Sequence, residues 1–276
     1  MLHPFKNLML TYFQNRSTKW YLTAIMLLGL IARIARAVVD KDIKQDAVLY
    51  MDMARVWSVQ GADASTSLHS MIPPLWPWIL GVGHSIGIEP EVSGQVLGIL
   101  LGVSVIGSVF VICKTIFKQK TYALVGALLA AIHPYLIRLS TEMLRDTVYI
   151  PLVTLALALA MSAAINHKWW KWGLFGFVCA LAVMTRREGG EILVFLSCWS
   201  LIELIQKRAV FIDALKRVFV AHFMAYGVLL AVALPVQIEM AKTHTTWRIV
   251  PWGIEMNLRQ LLSISEDELF KKVQEK

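Results

Sequence analysis

Long apolar runs recur along this chain, each roughly 17–25 residues in length, which is what a helix needs to cross about 30 Å of hydrocarbon. Of the 276 residues, 57% are hydrophobic, and the mean hydropathy is +0.59. Average soluble proteins are nearer 45–50% apolar. We therefore predict an all-α polytopic membrane protein. A soluble bundle of unusually buried helices is the alternative.

The apolar runs predict about seven transmembrane helices, and the polar stretches between them predict the loops. We treat residues 1–240 as one transmembrane domain, with an outer loop at 40–90, and residues 241–276 as an extracytoplasmic polar tail. The predicted helices lie at residues 20–39, 91–113, 121–140, 144–165, 172–186, 190–206 and 218–238.

The outer loop is too long for a plain turn and contains two further helical patterns. "DAVLYMDMARVWSVQG" stops at Gly61, as helices often do, and its apolar residues approximate one stripe, which predicts an amphipathic helix along the membrane surface. "MIPPLWPWILGVGHSIGI" is apolar, but its three early prolines predict a second surface or re-entrant helix rather than a span. The stripe of the first helix comprises Val48, Leu49, Met53, Val56 and Trp57.

Lysine and arginine are distributed unevenly between the loops. One set of connections is rich in Lys and nearly free of acids, and the positive-inside bias places this set, and with it the N-terminus, in the cytoplasm. We predict a multi-pass protein of a bacterial inner (plasma) membrane. Because the cations are interspersed between apolar runs, the net charge of +8 does not indicate a nucleic-acid partner. The set comprises Lys6, Arg16, Lys19, Lys114, Lys118, Lys120, Lys168, Lys171, Lys207, Arg208, Lys216 and Arg217.

The opposite loops mix acids with arginine in three places. Asp46 lies in the outer loop, "HPYLIRLSTEMLRDTVY" spans residues 133–149, and "MTRREGGE" spans residues 184–191. Ionisable groups near membrane depth are costly and usually mark function. We therefore expect these three segments to line one extracytoplasmic cavity. Their charged members include Asp46, Arg138, Glu142, Arg145, Asp146, Arg186, Arg187, Glu188 and Glu191.

Asp46 has two interpretations. A carboxylate just outside the first span could be a general base that deprotonates an acceptor hydroxyl or amine. Alternatively, it caps the surface helix by accepting hydrogen bonds from free backbone N–H groups. Asp52 is expected on the polar side of the same helix.

The arginines also have two interpretations each. Glu142, Arg145 and Asp146 are spaced to share one helical face, where the arginine would pair with an acid. In the functional interpretation, Arg138 and Arg145 bind a ligand phosphate, for which the planar guanidinium is well suited. Likewise, the arginines at 186 and 187 either bind a phosphate at headgroup level or snorkel to the interface.

The sequence lacks the motifs that are typical of several functional classes. The chain contains no phosphate-binding P-loop, no Gly-rich dinucleotide fingerprint and no serine nucleophile elbow. The three cysteines fall inside apolar runs, and no Cys/His spacing typical of zinc is present. We expect no cofactor, and a divalent metal is possible but not indicated.

Five short segments, taken in order, carry a resemblance to a known family. The chain resembles the GT-C class of polytopic glycosyltransferases and is similar to the dolichyl-phosphate-mannose protein mannosyltransferase and aminoarabinose lipid A transferase families. The segments are "RIAR" at 33–36, Asp46 to Tyr50 in "QDAVLY", "PPLWP" at 73–77, residues 133–146 and "MTRREG" at 184–189. "TTWRI" at 245–249 is similar to a later outer segment.

The resemblance implies an activity and roles for residues. It implies a polyprenyl-phosphate sugar donor, a lipid, glycan or protein acceptor, and transfer on the extracytoplasmic face, for which we expect inversion. Asp46 would be the catalytic base, and Arg186, with Arg138 or Arg145, would hold the donor phosphate. Arg187 is a further candidate for the phosphate, and the supporting residues would be Tyr50, Glu142, Asp146 and Glu188.

Two positions depart from the family pattern. Ala47 replaces a second acid that many relatives carry, and Arg187 replaces a proline. Relatives are commonly longer, so a non-catalytic membrane subunit, or one part of a larger assembly with a partner subunit, is one alternative. A transporter for a lipid phosphate or another anion is the other.

Overall fold

The computed structural model describes residues 18–39, 43–68, 72–207 and 210–243, and these form helices and turns with no strand among them. The predicted all-α architecture is thereby confirmed. Several positions named above lie outside the described residues: Lys6, Arg16, Arg208 and the segment 244–276, which holds "TTWRI" and most of the predicted tail.

Eleven α-helices and one 3₁₀ helix follow one another within the described ranges. The first helix and the last eight elements correspond to the predicted spans and the turns between them, and the three helices in between belong to the outer loop. The elements are α1 Thr18–Val39, α2 Gln45–Gln60, α3 Ala62–Leu68, α4 Leu75–Ser85, α5 Pro90–Phe117, α6 Lys120–Ile132, α7 Pro134–Leu139, α8 Asp146–Asn166, α9 Trp169–Thr185, the 3₁₀ helix Arg187–Ile192, α10 Leu193–Gln206 and α11 Phe211–Thr243.

Four of the described helices are long and apolar enough to cross a membrane: Thr18–Val39, Pro90–Phe117, Asp146–Asn166 and Phe211–Val236. Two more, α6 and α9, are apolar but shorter, and α10 has 14 residues. Helices therefore occupy all seven predicted positions, whereas the count of seven crossings stays a prediction. The predicted span at 121–140 is divided, because His133 takes an extended backbone and Pro134 begins a new helix.

Several consecutive helices pack side by side, among them α5 with α6, α8 with α9, and α10 with α11. The turns that connect the helices fall at two ends of the bundle. We call the end formed by residues 39, 43–68, 72–90, 132–146 and 185–193 the mixed-charge end. The opposite end, at residues 114–120, 166–171, 203–207 and 210–217, is the lysine-rich end. The three charged segments named above all belong to the mixed-charge end. That they line one extracytoplasmic cavity stays a prediction. Which end faces the cytoplasm stays a prediction.

A glycine stripe on α5 lets the turn at 139–143 approach the helix closely. Gly94, Gly98 and Gly102 repeat every four residues, as small residues do at membrane helix contacts. A Cβ added to Gly98 would collide with the carbonyl oxygen of Ser140, and one added to Gly102 would collide with the Ser140 hydroxyl. The turn can therefore lie directly on the helix.

Arg33, in α1, holds the same turn from its other side. Its side chain is fully buried and donates hydrogen bonds to the Ser140 hydroxyl at 3.1 Å, the Gly29 carbonyl at 2.9 Å and the Ala131 carbonyl at 3.3 Å. These three acceptors belong to the turn, α1 and the end of α6. A buried cation needs such partners, so Arg33 ties the three segments together.

The outer-loop helix α2 buries a face that matches the predicted stripe only in part. Met53 of that stripe is buried, whereas Val48 is 42% exposed. The other buried residues are Ala47, Tyr50, Met51 and Ala54. The helix packs on α4, and its alanines share one core with residues of that helix. Close contact between α2 and α4 favours small side chains such as alanine. A prediction from hydrophobicity alone ranks alanine below valine and leucine.

Replacing Gly98 by Ala tests the packing of the turn on α5. We expect the free energy of unfolding to fall by about 1–3 kcal/mol, because the new methyl group meets a backbone carbonyl that cannot move without shifting the turn. Thermal unfolding of the purified protein measures this loss.

Gly107→Ala is the matched control for this substitution. Gly107 lies in the same helix, and a Cβ there would meet nothing within 4 Å, so the control should leave stability unchanged or slightly raised. Equal stability of the two variants would show that the turn does not lie against α5 as described.

Candidate active site at the mixed-charge end

The turn between α7 and α8 departs from the helical spacing predicted for it. Met143 has a left-handed backbone with φ of 53°, and residues 141–145 form turns rather than helix. Glu142, Arg145 and Asp146 therefore do not share one helical face, and that prediction was wrong. The physical reason is that one left-handed residue reverses the direction of the chain and separates the side chains before and after it.

Each acid of this turn has a different arginine partner. Glu142, 7% exposed, pairs with Arg138 Nε at 3.3 Å within its own turn. Asp146 instead accepts a hydrogen bond from Arg186 Nη1, forty residues further along the chain. Arg186 also lies 3.6 Å from a carboxylate oxygen of Glu188 through its Nε. The Asp146–Arg186 pair therefore joins two of the three charged segments.

The position of Arg186 follows from the end of α9. Arg186 takes an extended backbone there, and its N–H still donates to the carbonyl of Ala182 at 2.8 Å. The 3₁₀ helix then folds back over the end of α9, and a Cβ on Gly189 would collide with the backbone of Ala182 and Val183. Glycine at 189 thus permits the fold-back that brings Arg186 to the turn.

Several groups hold the Arg186 guanidinium in place. It lies over the ring of Tyr149, 5.5 Å from its centroid, a cation–π arrangement. Burial alone would lower the pKa of Arg186, but the hydrogen bond to Asp146 and the neighbouring carboxylate of Glu188 outweigh it and raise the pKa overall. Arg186 therefore remains a fixed positive charge at any physiological pH.

Tyr50, in α2, connects the outer loop to these two turns. Its side chain is 3% exposed, and burial, together with the charges of Asp46 and Asp146, raises the pKa of its phenol. Arg145 and Arg186 are also close enough to affect that pKa in the opposite direction. The charges of two acids and two arginines, drawn from all three charged segments, thus act on one buried phenol.

Asp46 is exposed to solvent in the first turn of α2. The residue at the N-cap is Lys44, and no side-chain hydrogen bond caps the helix. The capping interpretation of Asp46 is therefore wrong, because the helix starts two residues too early for Asp46 to be its N-cap. Asp52 lies on the exposed side as expected, paired with Arg55 at 3.1 Å.

The structure thus divides the predicted site residues into two groups. A central group consists of Asp46, Arg145, Asp146 and Arg186, whose charges act on Tyr50. Four predicted residues remain outside this group. Arg138 and Glu142 pair with each other, and Glu188 contacts Arg186. Arg187 is exposed and forms no ion pair with any described residue. Arg145, which is half-buried, also has no ion pair within the described ranges.

Sequence reasoning missed three side chains that shape this end: Arg33, Trp76 and Tyr149. Arg33 and Trp76 lie inside quoted motifs, "RIAR" and "PPLWP", without an assigned role. The signal for Tyr149 was its spacing of three residues from Asp146 along α8, which places both on the side where Arg186 binds. Within the described ranges, no group of three or more His, Cys, Asp or Glu side chains could hold a metal ion.

Comparison with known proteins identifies the family of this chain. No curated protein and no solved structure matches it. A family model described as dolichyl-phosphate-mannose-protein mannosyltransferase matches residues 72–238, which is more than half of the chain. The matched region contains the turns with Arg145 and Arg186, whereas Asp46 and Tyr50 precede it. The chain belongs to the dolichyl-phosphate-mannose-protein mannosyltransferase family, which consists of glycosyltransferases of the GT-C type.

Proposed function

We propose that this protein transfers a sugar from a polyprenyl-phosphate-linked donor to an acceptor on the extracytoplasmic face of the membrane, with inversion at the anomeric carbon. The observation that carries the proposal is the ion pair of Arg186 with Asp146, which joins the turn that holds Arg145 to the turn after α9 at one end of a helical membrane bundle. The charges of Asp46, Arg145 and Arg186 all act on the phenol of Tyr50. Membership of a glycosyltransferase family supports the reaction class.

Arg145 and Arg186 are the proposed ligands of the donor phosphate. Charge develops on the leaving phosphate as the glycosidic bond breaks, and fixed guanidinium groups stabilise that charge in the transition state. Arg145 has no ion pair with a described residue, so its donors are available. Arg186 is oriented by Asp146 and Tyr149, so little side-chain freedom is lost when the phosphate binds.

Asp46 is the proposed general base. Its carboxylate is exposed, so an acceptor can approach it from water or from the lipid headgroup layer. Removing a proton from the acceptor raises its nucleophilicity as it attacks the anomeric carbon. Because the acceptor and the phosphate lie on opposite sides of that carbon in a single displacement, the product has inverted configuration.

The other predicted phosphate ligands have peripheral roles in this proposal. Arg138 contacts Glu142 and the ring of Tyr135, both from its own segment, and Arg187 is exposed beside Arg186. We place both at the rim of the site. Asp146 and Glu188 orient Arg186, and Tyr50 stays a neutral phenol because its pKa is raised.

The position of the charges favours an enzyme over a transporter. Transporter sites commonly lie near the bilayer midplane on broken helices. Here the charged groups lie at helix ends and in turns: Asp46 in the first turn of α2, Arg145 before α8, and Arg186 after α9. A headgroup-level site suits a donor whose tail stays in the lipid while its phosphate reaches the interface.

Replacing Asp46 by Asn tests the proposed base. We expect transfer to fall by about 10²–10⁴-fold, because the amide cannot accept the proton, while membrane insertion is unchanged. The assay uses purified protein, radiolabelled polyprenyl-phosphate sugars and a panel of acceptors.

Asp52→Asn is the matched control, because Asp52 is an exposed acid of the same helix that pairs only with a surface arginine. It should retain activity. Unchanged transfer by the Asp46 variant would remove Asp46 from the site. Equal losses of transfer in both variants would indicate that the reaction needs negative charge in the outer loop in general, and not a base at position 46.

Replacing Arg145 by Gln tests the phosphate site. We expect kcat/KM for the donor to fall by about 10²–10³-fold, since one charged donor to the leaving phosphate is lost. Arg55→Gln is the control, because Arg55 is an exposed arginine of α2 whose pairs lie at the surface and contribute little.

Two outcomes of this comparison would contradict the proposal. Equal effects of the Arg145 and Arg55 variants would show that bulk positive charge, and not a defined phosphate site, governs the reaction. Binding of polyprenyl phosphate without any transfer, under all acceptors tried, would favour a transporter or a non-catalytic subunit.

A further inference from the structure

A tryptophan in the outer loop holds the turn that carries two of the site residues. The indole Nε1–H of Trp76, in α4, donates a hydrogen bond to the carbonyl oxygen of Met143 at 2.8 Å. Trp76 is 1% exposed and Met143 is 2% exposed. The bond therefore forms away from water, where a lost donor cannot be replaced by solvent.

Met143 needs such support because of its backbone. Its φ of 53° is left-handed, a conformation that L residues other than Gly, Asn and Asp rarely adopt because Cβ approaches the carbonyl oxygen. The Met143 side chain also packs against α5, since a Cβ on Gly94 would lie 3.2 Å from its Cγ and Sδ. Trp76 on one side and α5 on the other thus hold this residue in place.

The position of Met143 determines the positions of the next residues. Arg145 is the N-cap of α8, and Asp146 begins that helix. The first amides of α8 depend on the same turn: the N–H of Thr147 donates to the carbonyl of Leu144 at 2.9 Å, and that of Tyr149 to the carbonyl of Arg145 at 2.9 Å. A change at Met143 would move both charged side chains.

Trp76 also belongs to the core that includes the helix carrying the base. Helix α4 packs on α2, and Tyr50, Trp76, Met143 and Val148 belong to one continuous buried core. Trp76 therefore shares a buried core with the helix bearing Asp46 and hydrogen-bonds the turn bearing Arg145.

We propose that Trp76 is a positioning residue for sugar transfer, which fixes the turn carrying Arg145 and Asp146 relative to the helix carrying Asp46. This inference rests on the proposed function. Trp76 itself touches neither donor nor acceptor; it acts through the backbone of Met143.

Trp76→Phe is the test substitution, because it keeps an aromatic ring and removes only the donor and part of the ring volume. The matched control is Trp78→Phe in the same helix. The indole N–H of Trp78 is buried and has no hydrogen-bond partner among the described residues, so removing it breaks no bond of the turn.

The first measurement is hydrogen–deuterium exchange of the full chain in lipid nanodiscs, which needs no activity. We expect exchange of the amides at 144–149 to become about 10-fold faster or more in the Trp76 variant, while amides of α9 keep the parent rate. The Trp78 variant should match the parent throughout. A general loss of stability would instead raise exchange in all helices.

The second measurement is the transfer rate of the same three proteins. We expect kcat of the Trp76 variant to fall by about 10-fold or more, because small misplacements of reacting groups are costly, and the Trp78 variant to stay within about 2-fold of the parent. Faster exchange at 144–149 together with a lower kcat supports the proposal.

Each remaining outcome overturns a defined part of the account. Unchanged exchange at 144–149 in the Trp76 variant, or exchange raised equally in all helices, refutes the positioning role. Faster local exchange with unchanged kcat refutes its relevance to transfer. Absence of transfer in the parent protein refutes the proposed function, and the exchange data then still decide whether Trp76 holds the turn.

Discussion

The ion pair between Asp146 and Arg186 is the contact on which the proposed site depends. These residues are forty positions apart and lie in two different turns, each at the end of an apolar helix. Near a membrane an unpaired charge is costly, so the pair draws the two turns together. Arg145 precedes Asp146 directly, so the same pair also limits where this second arginine lies. Asp46 and Tyr50 are one turn apart in helix α2, and the charges of Asp46 and of both arginines act on the phenol of Tyr50.

Small residues and one buried cation make this arrangement possible. Helices in lipid gain little from the hydrophobic effect, so close packing and hydrogen bonds hold them together. The glycines of α5 allow the turn at 139–143 to lie on that helix, and Arg33 binds the turn through Ser140. The apolar bundle therefore positions the polar turn before any ligand binds, which is the preorganisation that electrostatic catalysis requires.

The sequence predicted the order and kind of the elements better than their details. Apolar runs located the helices, although α11 begins at Phe211 rather than 218 and α5 continues to Phe117, because hydrophobicity does not mark where a helix extends into water. Glu142, Arg145 and Asp146 were misassigned to one face, since nothing in their spacing reveals a left-handed Met143. The packing of Trp76 on that residue joins positions 67 apart, which no local pattern can show. The family resemblance, by contrast, was confirmed over residues 72–238.

The claim that one phosphate site forms at the mixed-charge end is tested most directly by an electron cryomicroscopy structure of the protein in nanodiscs with polyprenyl phosphate bound. The account predicts the phosphate within hydrogen-bond distance of the guanidinium groups of Arg145 and Arg186, with the Asp46 carboxylate facing the same space. A phosphate bound at the lysine-rich end, or an Asp46 turned away from both arginines, would contradict it.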